Sequence, residues 1–334
     1  MQEVTIIIPN YNGKSLLENC FRTLENQSYK DFKVLVVDNG STDGSTDIKS
    51  DVLDVEWIAL NENLGFCGAV NLAVQKTGTP YVILLNNDTE TDKYFVEWLL
   101  RGIKKSDHIF SCGAQMIDYK NHEILDNAGD LYTAMGWAVA RGKGRPCKDY
   151  ETSKRVFSCC AGAAIYRMDI MRKIGGLDEH HFAYLEDVDL GYRARIAGFE
   201  NWYIPEAKVY HVGSATTGTR YNKKKVFLAA RNTIFVIYKN MPVLQLVLNV
   251  PFIFIGMFIK TLFFVRKGFG EDYCKGILEG IYDCKKCWKV KFRMKNLSNY
   301  FKIQLELWRN LVRIYLTAGD VRCARIPAGE CPSG

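Results

Sequence analysis

Polar side chains that could bind a cation or a nucleotide follow apolar segments near the start of the chain. Asn10 follows the first of these segments, Asp38 ends the second, and Asp88 comes shortly after the fourth. An acidic pair, Glu186 and Asp187, lies much later in the chain. Carboxylates gathered in one pocket can hold a divalent cation or accept a proton. The fold must bring these distant residues together for such chemistry to occur.

The elements that would position these residues alternate between strand and helix. Four near-continuous apolar runs predict strands buried on both faces of a parallel sheet, namely Val4–Pro9, Phe32–Asp38, Val55–Asn61 and Tyr81–Asn87. Apolar residues at helical spacing predict one helix through Leu17, Cys20, Phe21 and Leu24, and another through Phe95, Trp98, Leu99 and Gly102 after an Asp92 cap. This alternation predicts a doubly wound α/β sheet, whose ligands bind beyond the carboxyl ends of the strands.

The pattern becomes mixed after residue 150. Ser158–Tyr166 is small and apolar, and it is typical of a strand or a closely packed loop. Leu185–Ala197 has the apolar spacing of a helix that ends at Gly198. Two short strands are expected at Trp202–Pro205 and Lys208–His211. The helix would carry the acidic pair in its first turn.

The C-terminal region differs in charge and hydropathy. Residues 1–219 have a net charge of −7 and residues 220–334 have +14, so the two halves are expected to meet different partners. Pro242–Val265 is long enough to span a bilayer but contains Gln245, Asn249, Pro251 and Lys260. A re-entrant or interfacial helical hairpin is the favoured interpretation, with a membrane span and a buried core helix as alternatives. Lys285–Tyr315 is typical of a basic amphipathic helix, or of a helix that packs on the catalytic domain.

Composition excludes several classes of protein. With 48% hydrophobic and 13% aromatic residues, the chain is not mainly disordered. Its N-terminus lacks the features of a signal peptide, and its 11 cysteines are an odd number, so we expect a cytosolic protein with free thiols. Cys284-x-x-Cys287 has half of a zinc-site spacing without a second half. The basic tail has no zinc-finger, RNP-like or helix-turn-helix signature, so nucleic acid is not an expected partner.

Six sequence blocks are weak individually but specific in their order. They are Ile-Pro-Asn-Tyr-Asn at 8–12, Val-Asp-Asn-Gly-Ser-Thr-Asp at 37–43, Asn61-x-Asn63-x-Gly65-Phe66, Leu-Leu-Asn-Asn-Asp at 84–88, Tyr-Leu-Glu-Asp-Val-Asp-Leu at 184–190, and His211. Over residues 3–240 the chain resembles the family 2 glycosyltransferases of GT-A fold. The third block, the acidic block and Gly-Gly-Leu-Asp-Glu at 175–179 resemble the rhamnosyltransferases of bacterial surface polysaccharides most. The resemblance implies a Rossmann-like GT-A domain at 1–240. The apolar and basic sequence that follows predicts a membrane-associating helical region at 241–334.

The resemblance also implies where a nucleotide-sugar donor binds. A carboxylate at Asp38 can accept the N3–H of uracil or thymine, which would select a UDP- or dTDP-sugar; a turn-capping aspartate is the alternative. Arg231-Asn232 could cover the diphosphate. The predicted nucleotide-binding residues are Pro9, Asn10, Tyr11, Asn12, Asp38, Asn39, Asn63, Gly65, Asn71 and Asn87, and the predicted donor-sugar residues are Ala161 and Gly162, for which tight packing is the other interpretation.

A divalent cation is expected beside the donor diphosphate. Asn86-x-Asp88 resembles the Asp-x-Asp motif of the family, and His211 matches a position that reaches the metal or the diphosphate. A diphosphate among carboxylates would meet strong repulsion unless a cation bridges them. The predicted metal ligands are Asp88 and His211. Oxygen ligands suit Mg²⁺, whereas an added imidazole favours Mn²⁺.

Glu186 and Asp187 are the predicted catalytic residues, because they resemble the Glu-Asp pair in which the aspartate is the general base. In an inverting displacement the acceptor hydroxyl attacks opposite the diphosphate while this carboxylate takes its proton. We expect the helix N-terminus to lower the pKa of Asp187, and Glu186 and Asp189 to oppose that effect. An acidic first helical turn without a catalytic role is the alternative.

The sequence therefore predicts an inverting, metal-dependent glycosyltransferase that adds a single sugar, with rhamnose as a candidate. The chain lacks the Gln-x-x-Arg-Trp motif and the several spanning helices of processive synthases. Its apolar, basic tail favours a lipid-linked glycan acceptor and an anionic membrane surface at the cytoplasmic face of the cell membrane. The alternative function is a catalytically silent subunit of the same fold that binds a nucleotide or a glycan.

Overall fold

A mixed ten-stranded sheet forms the centre of the molecule. The computed structural model describes residues 2–213 and 221–323, with side chains as far as residue 314. The strands are β1 (Val4–Asn10), β2 (Phe32–Asp38), β3 (Val55–Ala59), β4 (Tyr81–Leu85), β5 (Thr89–Thr91), β6 (Ile109–Asp118), β7 (Leu125–Asn127), β8 (Asp130–Tyr132), β9 (Ala138–Ala140), β10 (Lys154–Val156), β11 (Ala163–Arg167) and β12 (Glu200–His211). Strands β8 and β9 form a separate two-stranded hairpin.

Nine α-helices cover the sheet or follow it in the part of the chain that the structure describes. They are α1 (Lys14–Glu25), α2 (Gly65–Lys76), α3 (Phe95–Ile103), α4 (Met168–Ile174), α5 (Glu186–Ile196), α6 (Lys223–Asn240), α7 (Val243–Arg266), α8 (Gly270–Asp283) and α9 (Leu297–Cys323). Helices α1 and α3 pack on one face of the sheet through Leu17 and Phe95. Helices α2, α4 and α5 pack on the other face through Cys67, Met168 and Leu190.

The sheet order is β10-β12-β6-β11-β4-β1-β2-β3. Strands β3, β2, β1 and β4 are parallel, which confirms the predicted α/β alternation of the first 90 residues. Beyond β4 the sheet is mixed, because β11 runs antiparallel between β4 and β6.

The later strands also differ from the prediction. Trp202–Pro205 and Lys208–His211 belong to one strand, β12, whose register shifts between Ile204 and Lys208. Pro205 lies in this irregular stretch, where a missing N–H costs no ladder hydrogen bond. Predicted strands β3 and β4 end two residues early, at Ala59 and Leu85. Helix α5 and its end at Gly198, with a φ of +91°, are confirmed.

The expected helical hairpin at Pro242–Val265 is wrong, because α7 is a single helix of 24 residues. The polar residues Gln245 and Asn249, which interrupt the apolar run in the sequence, are buried and face the rest of the protein, so they do not break the helix. Length and composition would allow α7 to cross a membrane. In α9, the apolar residues Phe301, Leu305, Trp308 and Val312 are exposed, while Tyr300, Ile303 and Leu307 pack on the catalytic domain. All nine cysteines with described side chains are free thiols.

Candidate functional site

The carboxyl ends of β1, β2 and β4 are linked by buried side chains. The Nδ2 of Asn10 donates to Asp38 Oδ1 at 2.8 Å, and the Nδ2 of Asn87 donates to Asn10 Oδ1 at 2.7 Å. A Cβ on Gly13 would lie 2.2 Å from the Asn87 amide, so this position requires glycine. Because parallel strands end at one edge, residues 77 positions apart in the chain become hydrogen-bonded neighbours.

The Asp38 carboxylate is buried and holds the loop that follows β2. Besides Asn10, it accepts hydrogen bonds from the backbone N–H of Ser41 at 2.9 Å and from the Ser41 hydroxyl at 2.6 Å. This is the geometry of the turn-capping alternative. A carboxylate offers about four acceptor positions, so Asp38 still has capacity for one further donor.

Asparagine side chains shape the loops around Asp38. Asn12, at a φ of +49°, accepts a hydrogen bond from Thr42 N–H, and Asn39 accepts one from Leu64 N–H. Asn63 accepts a hydrogen bond from the N–H of Gly65, where α2 begins. These residues line the rim, with Pro9 at the end of β1 and Tyr11 40% exposed beyond it.

Asn71 is placed differently from the other predicted nucleotide-binding residues. Its side-chain amide bonds the backbone of Leu177 at 2.8 and 3.0 Å and the Glu179 carboxylate at 2.9 Å. The structure therefore uses Asn71 to tie α2 to the loop that leads to α5.

Asp88 and His211 are neighbours, although 123 positions separate them. The Nε2 of His211 lies 3.3 Å from Asp88 Oδ1, and its Nδ1 lies 2.9 Å from Asp126 Oδ2. Pairing of β12 with β5 brings His211 opposite Thr89, directly after Asp88. Asp126 also forms an ion pair with Lys143. Sequence reasoning missed Asp126, because no motif marks it.

The charged groups of this cluster stabilise one another in their ionised forms. Burial alone would lower the pKa of His211, but hydrogen bonds to Asp126 and Asp88 outweigh burial and raise it to about 9. Burial would raise the pKa of Asp126, yet His211 and Lys143 hold it at about 2. The imidazolium thus occupies a place between two carboxylates that suits a divalent cation.

Ala161 and Gly162 join this cluster to the acidic pair on α5. The N–H of Ala161 donates to Asp187 Oδ2 at 3.2 Å, while the carbonyl of Gly162 accepts from Asn86 N–H at 2.9 Å. A Cβ on Gly162 would lie 2.9 Å from the Asn86 amide. The described residues thus form one connected rim that runs from Asp38 through Asp88 to Asp187.

Three acids lie close together here. Asp187 is the first of them and, like Glu186, belongs to the first turn of α5, whereas the third lies on β8. The second is Glu186, whose Oε2 is buried without a hydrogen-bond partner in the described part of the chain. The third is Asp130, which accepts hydrogen bonds from Asn127 and Ser158 at the start of β8. No sequence motif pointed to Asp130.

The expectation of a lowered pKa at Asp187 is wrong. Removal from bulk water raises its pKa, and the N–H groups of Ala161 and Val188 offset only part of this. Burial, with the Asp187 charge as a further cause, raises the pKa of Asp130 to about 8 and that of Glu186 well above its ordinary value. Of the three carboxyls, Asp187 therefore ionises first. Asp189 points away and pairs with Arg193 and Lys239.

The turn before α5 is strained. Phe182, Tyr184 and Leu185 have φ values of +62°, +74° and +65°. Such conformations cost about 1–3 kcal/mol each and persist only where contacts enforce them. The Nδ2 of Asn232 donates to the carbonyls of His181, Ala183 and Tyr184 at 2.8–2.9 Å.

The expected place of Arg231 and Asn232 over a diphosphate is therefore not observed. Arg231 donates to the carbonyls of His180 and His181, and Asn232 holds the strained turn. Both side chains act on the segment that aims Glu186 and Asp187, which sequence reasoning did not foresee.

A group of potential metal ligands lies elsewhere. Asp178, His180 and Cys287 place one ligand atom each within 4.8 Å of one another. Asp178 already forms an ion pair with the buried ammonium of Lys239 at 2.8 Å. That ammonium opposes a second cation at this cluster.

The profile of the glycosyl transferase family 2 matches residues 5–175. The chain belongs to this family. It is a glycosyltransferase of GT-A fold, and its predicted membership is confirmed.

Several curated relatives have rhamnosyltransferase names. N-acetylglucosaminyl-diphospho-decaprenol L-rhamnosyltransferase of Mycobacterium tuberculosis is 25% identical over 68% of this chain and 84% of its own length. O-antigen chain rhamnosyltransferase RfbN of Salmonella typhimurium is 26% identical over 66% of this chain and 70% of its own. Teichoic acid poly(glycerol phosphate) polymerase of Staphylococcus epidermidis is 28% identical over 33% of this chain, which spans only 16% of that polymerase.

Solved structures share the fold. GalNAc-T7 with UDP, GalNAc and Mn²⁺ has a TM-score of 0.56 at 15% identity, over 70% of this chain and 47% of that one. TarS 1-349 of S. aureus with UDP has a TM-score of 0.51 at 16% identity, over 72% and 67%. At these low identities, the likeness shows a shared fold. It does not assign a substrate to this chain.

Proposed function

We propose that this glycosyltransferase transfers one sugar, with inversion, from a UDP- or dTDP-sugar to a lipid-linked glycan in a metal-dependent reaction. One observation carries the proposal: Ala161 and Gly162 connect the base Asp187 to the strand end that bears Asp88, within one rim. A base and a diphosphate site must face each other across the donor sugar for an in-line attack.

Asp88 and His211 would hold the divalent cation. The two side chains already face each other at 3.3 Å, and Asp126 fixes the imidazole from its other nitrogen, as second carboxylates do for metal-ligating histidines. The cation would neutralise charge on the diphosphate as it leaves. Oxygen ligands with one imidazole fit Mn²⁺ or Mg²⁺.

Asp187 would accept the proton of the acceptor hydroxyl. Its raised pKa makes it a stronger base than an ordinary aspartate, while its two backbone N–H partners keep it the most acidic of the three carboxyls. Burial and the Asp187 charge raise the pKa of Glu186, which favours its protonated form. Its buried and unpartnered Oε2 is suited to a hydroxyl group of a bound sugar.

The donor base would lie against Asp38 and the loops of Asn12, Asn39 and Asn63. The remaining acceptor position on Asp38 suits the N3–H of uracil or thymine, which cytosine lacks. Names of the relatives favour rhamnose as the sugar and a diphosphate-linked lipid as the acceptor carrier.

Helix α7 would attach the enzyme to the membrane and lie in its plane at the cytoplasmic face. One stripe of α7 contacts the catalytic domain and α9. Gln245 bonds Tyr192 at 2.7 Å and Gly256 packs on Met135, both in the catalytic domain, while Asn249 bonds Gln304 of α9 at 2.8 Å. The opposite stripe, with Val247, Phe254, Phe258 and Leu262, is exposed. A helix that packs on the catalytic domain along its length cannot cross the bilayer without drawing that domain in.

A donor screen tests the proposed function. Thermal-shift measurements with UDP- and dTDP-sugars in Mn²⁺ should show one selective donor, and a prenyl-diphosphate-linked sugar should then be glycosylated. EDTA should abolish transfer, and Mn²⁺ should restore it. Full activity in EDTA would contradict the metal assignment, and selective binding without any transfer or donor hydrolysis would instead identify a silent binding subunit.

A further inference from the structure

We propose that Lys260, on the membrane-facing helix α7, binds the diphosphate of the prenyl-linked acceptor beside Trp137. This deepens the proposed function and rests on it, because it assigns a subsite for the carrier of the acceptor sugar. The juxtaposition of one cation, one aromatic ring and an exposed apolar helix face carries the inference.

Lys260 is the sole charged residue between Val243 and Val265. Around it, the helix exposes Phe258, Ile259 and Leu262 at 64%, 44% and 44%. A charge costs free energy in such surroundings unless an opposite charge accompanies it. Within residues 2–213 and 221–314, no carboxylate lies within ion-pair distance of its ammonium. Among the described residues, the Lys260 ammonium therefore has no anionic partner, and a bound anion could supply one.

The ammonium of Lys260 is held in a defined place. It lies 5.4 Å from the centroid of the Trp137 ring, close enough for a cation–π contact. One turn earlier, Gly256 brings the helix against the same segment: a Cβ there would lie 2.9 Å from Trp137 Nε1. The small residue therefore fixes the distance between α7 and the hairpin of β8 and β9.

That hairpin leads directly to the acidic site. Trp137 is paired with Thr133, whose N–H donates to the Trp137 carbonyl at 3.1 Å. Thr133 is three residues from Asp130, about 10 Å along an extended strand. Burial and then the nearby charge of Asp187 raise the pKa of Asp130, so these two carboxyls interact. A chain of contacts through Trp137 and Thr133 thus links Lys260 to the start of β8, where Asp130 lies.

The ligand is a prenyl diphosphate rather than a bulk phospholipid. Such a carrier has a strongly charged diphosphate between a sugar and a hydrocarbon chain, and the protein offers the same order: acids for the sugar, Lys260 for the diphosphate and the apolar face of α7 for the chain. Bulk phospholipid is better matched by the basic segment 285–295. This segment lies at the other end of α7, where Lys289 and Lys291 line a cavity with Val243, and Lys291 is exposed.

Binding of farnesyl diphosphate and farnesol to the full chain tests the subsite directly. Calorimetry in neutral detergent with EDTA keeps the diphosphate from a metal in the donor site. We expect wild type to prefer farnesyl diphosphate by at least about tenfold. Lys260→Gln should remove most of this preference without changing affinity for farnesol. Lys260→Arg should retain it, and Lys291→Gln is the matched control with unchanged preference.

Equal binding of the two lipids by wild type, or an unchanged preference in Lys260→Gln, would overturn the proposal. Loss of the preference in Lys291→Gln but not in Lys260→Gln would assign the diphosphate to the basic segment and overturn it as well. Failure of the proposed function has a different signature: no transfer to any prenyl-diphosphate sugar, while the Lys260-dependent preference persists.

Discussion

At the scale of single residues, the site is defined by which carboxyl holds a proton. Asp130, Glu186 and Asp187 are close enough for their charges to interact, and all three pKa values are raised. Asp187 accepts hydrogen bonds from the backbone N–H groups of Ala161 and Val188, which favour its ionised form. A common environment thereby produces one base and two neutral acids.

Asp187→Asn should lower the turnover number by a factor of about 10²–10⁴, because an amide cannot accept the proton of the acceptor hydroxyl. Donor affinity should stay within about twofold of wild type, since the proposed role of Asp187 is towards the acceptor hydroxyl. Initial rates and donor titration calorimetry give both quantities.

Asp169→Asn is the matched control for this variant, because Asp169 is an exposed acid in the first turn of another helix, α4. It should leave both quantities unchanged. Wild-type turnover in Asp187→Asn would remove this residue from the mechanism.

At the scale of elements, the turn before α5 determines how the acids are aimed. Three residues with positive φ precede Glu186, and Asn232 on α6 binds three carbonyls of that turn. Sequence reasoning found the helix and its acidic first turn. It could not find the strain, since the bonds that maintain it come from a helix about 50 residues away.

Asn232→Ala should release this turn. We expect a loss of about 1–3 kcal/mol in the free energy of unfolding, because buried carbonyls lose their donor. Turnover should fall as well, with little change in donor affinity. Asn299→Ala, which removes a single hydrogen bond to the Ile196 carbonyl at the other end of α5, is the control and should retain turnover. Unchanged turnover in Asn232→Ala would show that the turn keeps its shape unaided.

His181 should make the protein acid-sensitive. Burial lowers its pKa to about 4 from an ordinary 6.5, and both ring nitrogens lack partners among the described residues. Asp178 and Asp189 oppose this shift, while Lys239 and Arg193 favour it. Between these pH values the unfolded chain binds a proton that the folded protein excludes, so the free energy of unfolding falls by roughly 3 kcal/mol as the pH drops from 6.5 to 4.

The test is the pH dependence of the melting temperature. His181→Leu should flatten it between pH 6.5 and 4, whereas His108→Leu, at an exposed site, should leave the wild-type slope. An equal slope in His181→Leu and wild type would contradict this origin of acid sensitivity.

At the scale of the whole molecule, the catalytic domain and the C-terminal helices share one core. Tyr132, Tyr192 and Phe157 from the catalytic domain cluster with Ile253 of α7 and Ile303 of α9. The opposite surfaces of these helices remain apolar and exposed, far beyond what an ordinary soluble surface presents. One body therefore combines an acidic pocket with an apolar, basic face.

Phe254→Glu with Phe258→Glu should abolish binding to anionic vesicles. Both rings are exposed, at 68% and 64%, and charged side chains on this face oppose burial in the lipid interface. Vesicle flotation measures the effect, and donor hydrolysis in detergent should persist. Val52→Glu, at an apolar residue of similar exposure (64%) in the loop before β3, is the control and should float as wild type does. Flotation of the double variant would contradict the assigned face.

The sequence by itself determined the local features of this protein. Apolar runs and helical spacing identified β1 to β4 and α5. The order of the motifs identified Asp38, Asp88 and Asp187 as candidate site residues and indicated the family. Only the tertiary structure decided the antiparallel β11, the single helix α7, and the partners Asp126, Asp130 and Asn232. The physical reason is that periodicity records which face of a segment is buried, whereas strand order, strain and proton distribution depend on segments that are remote in the chain.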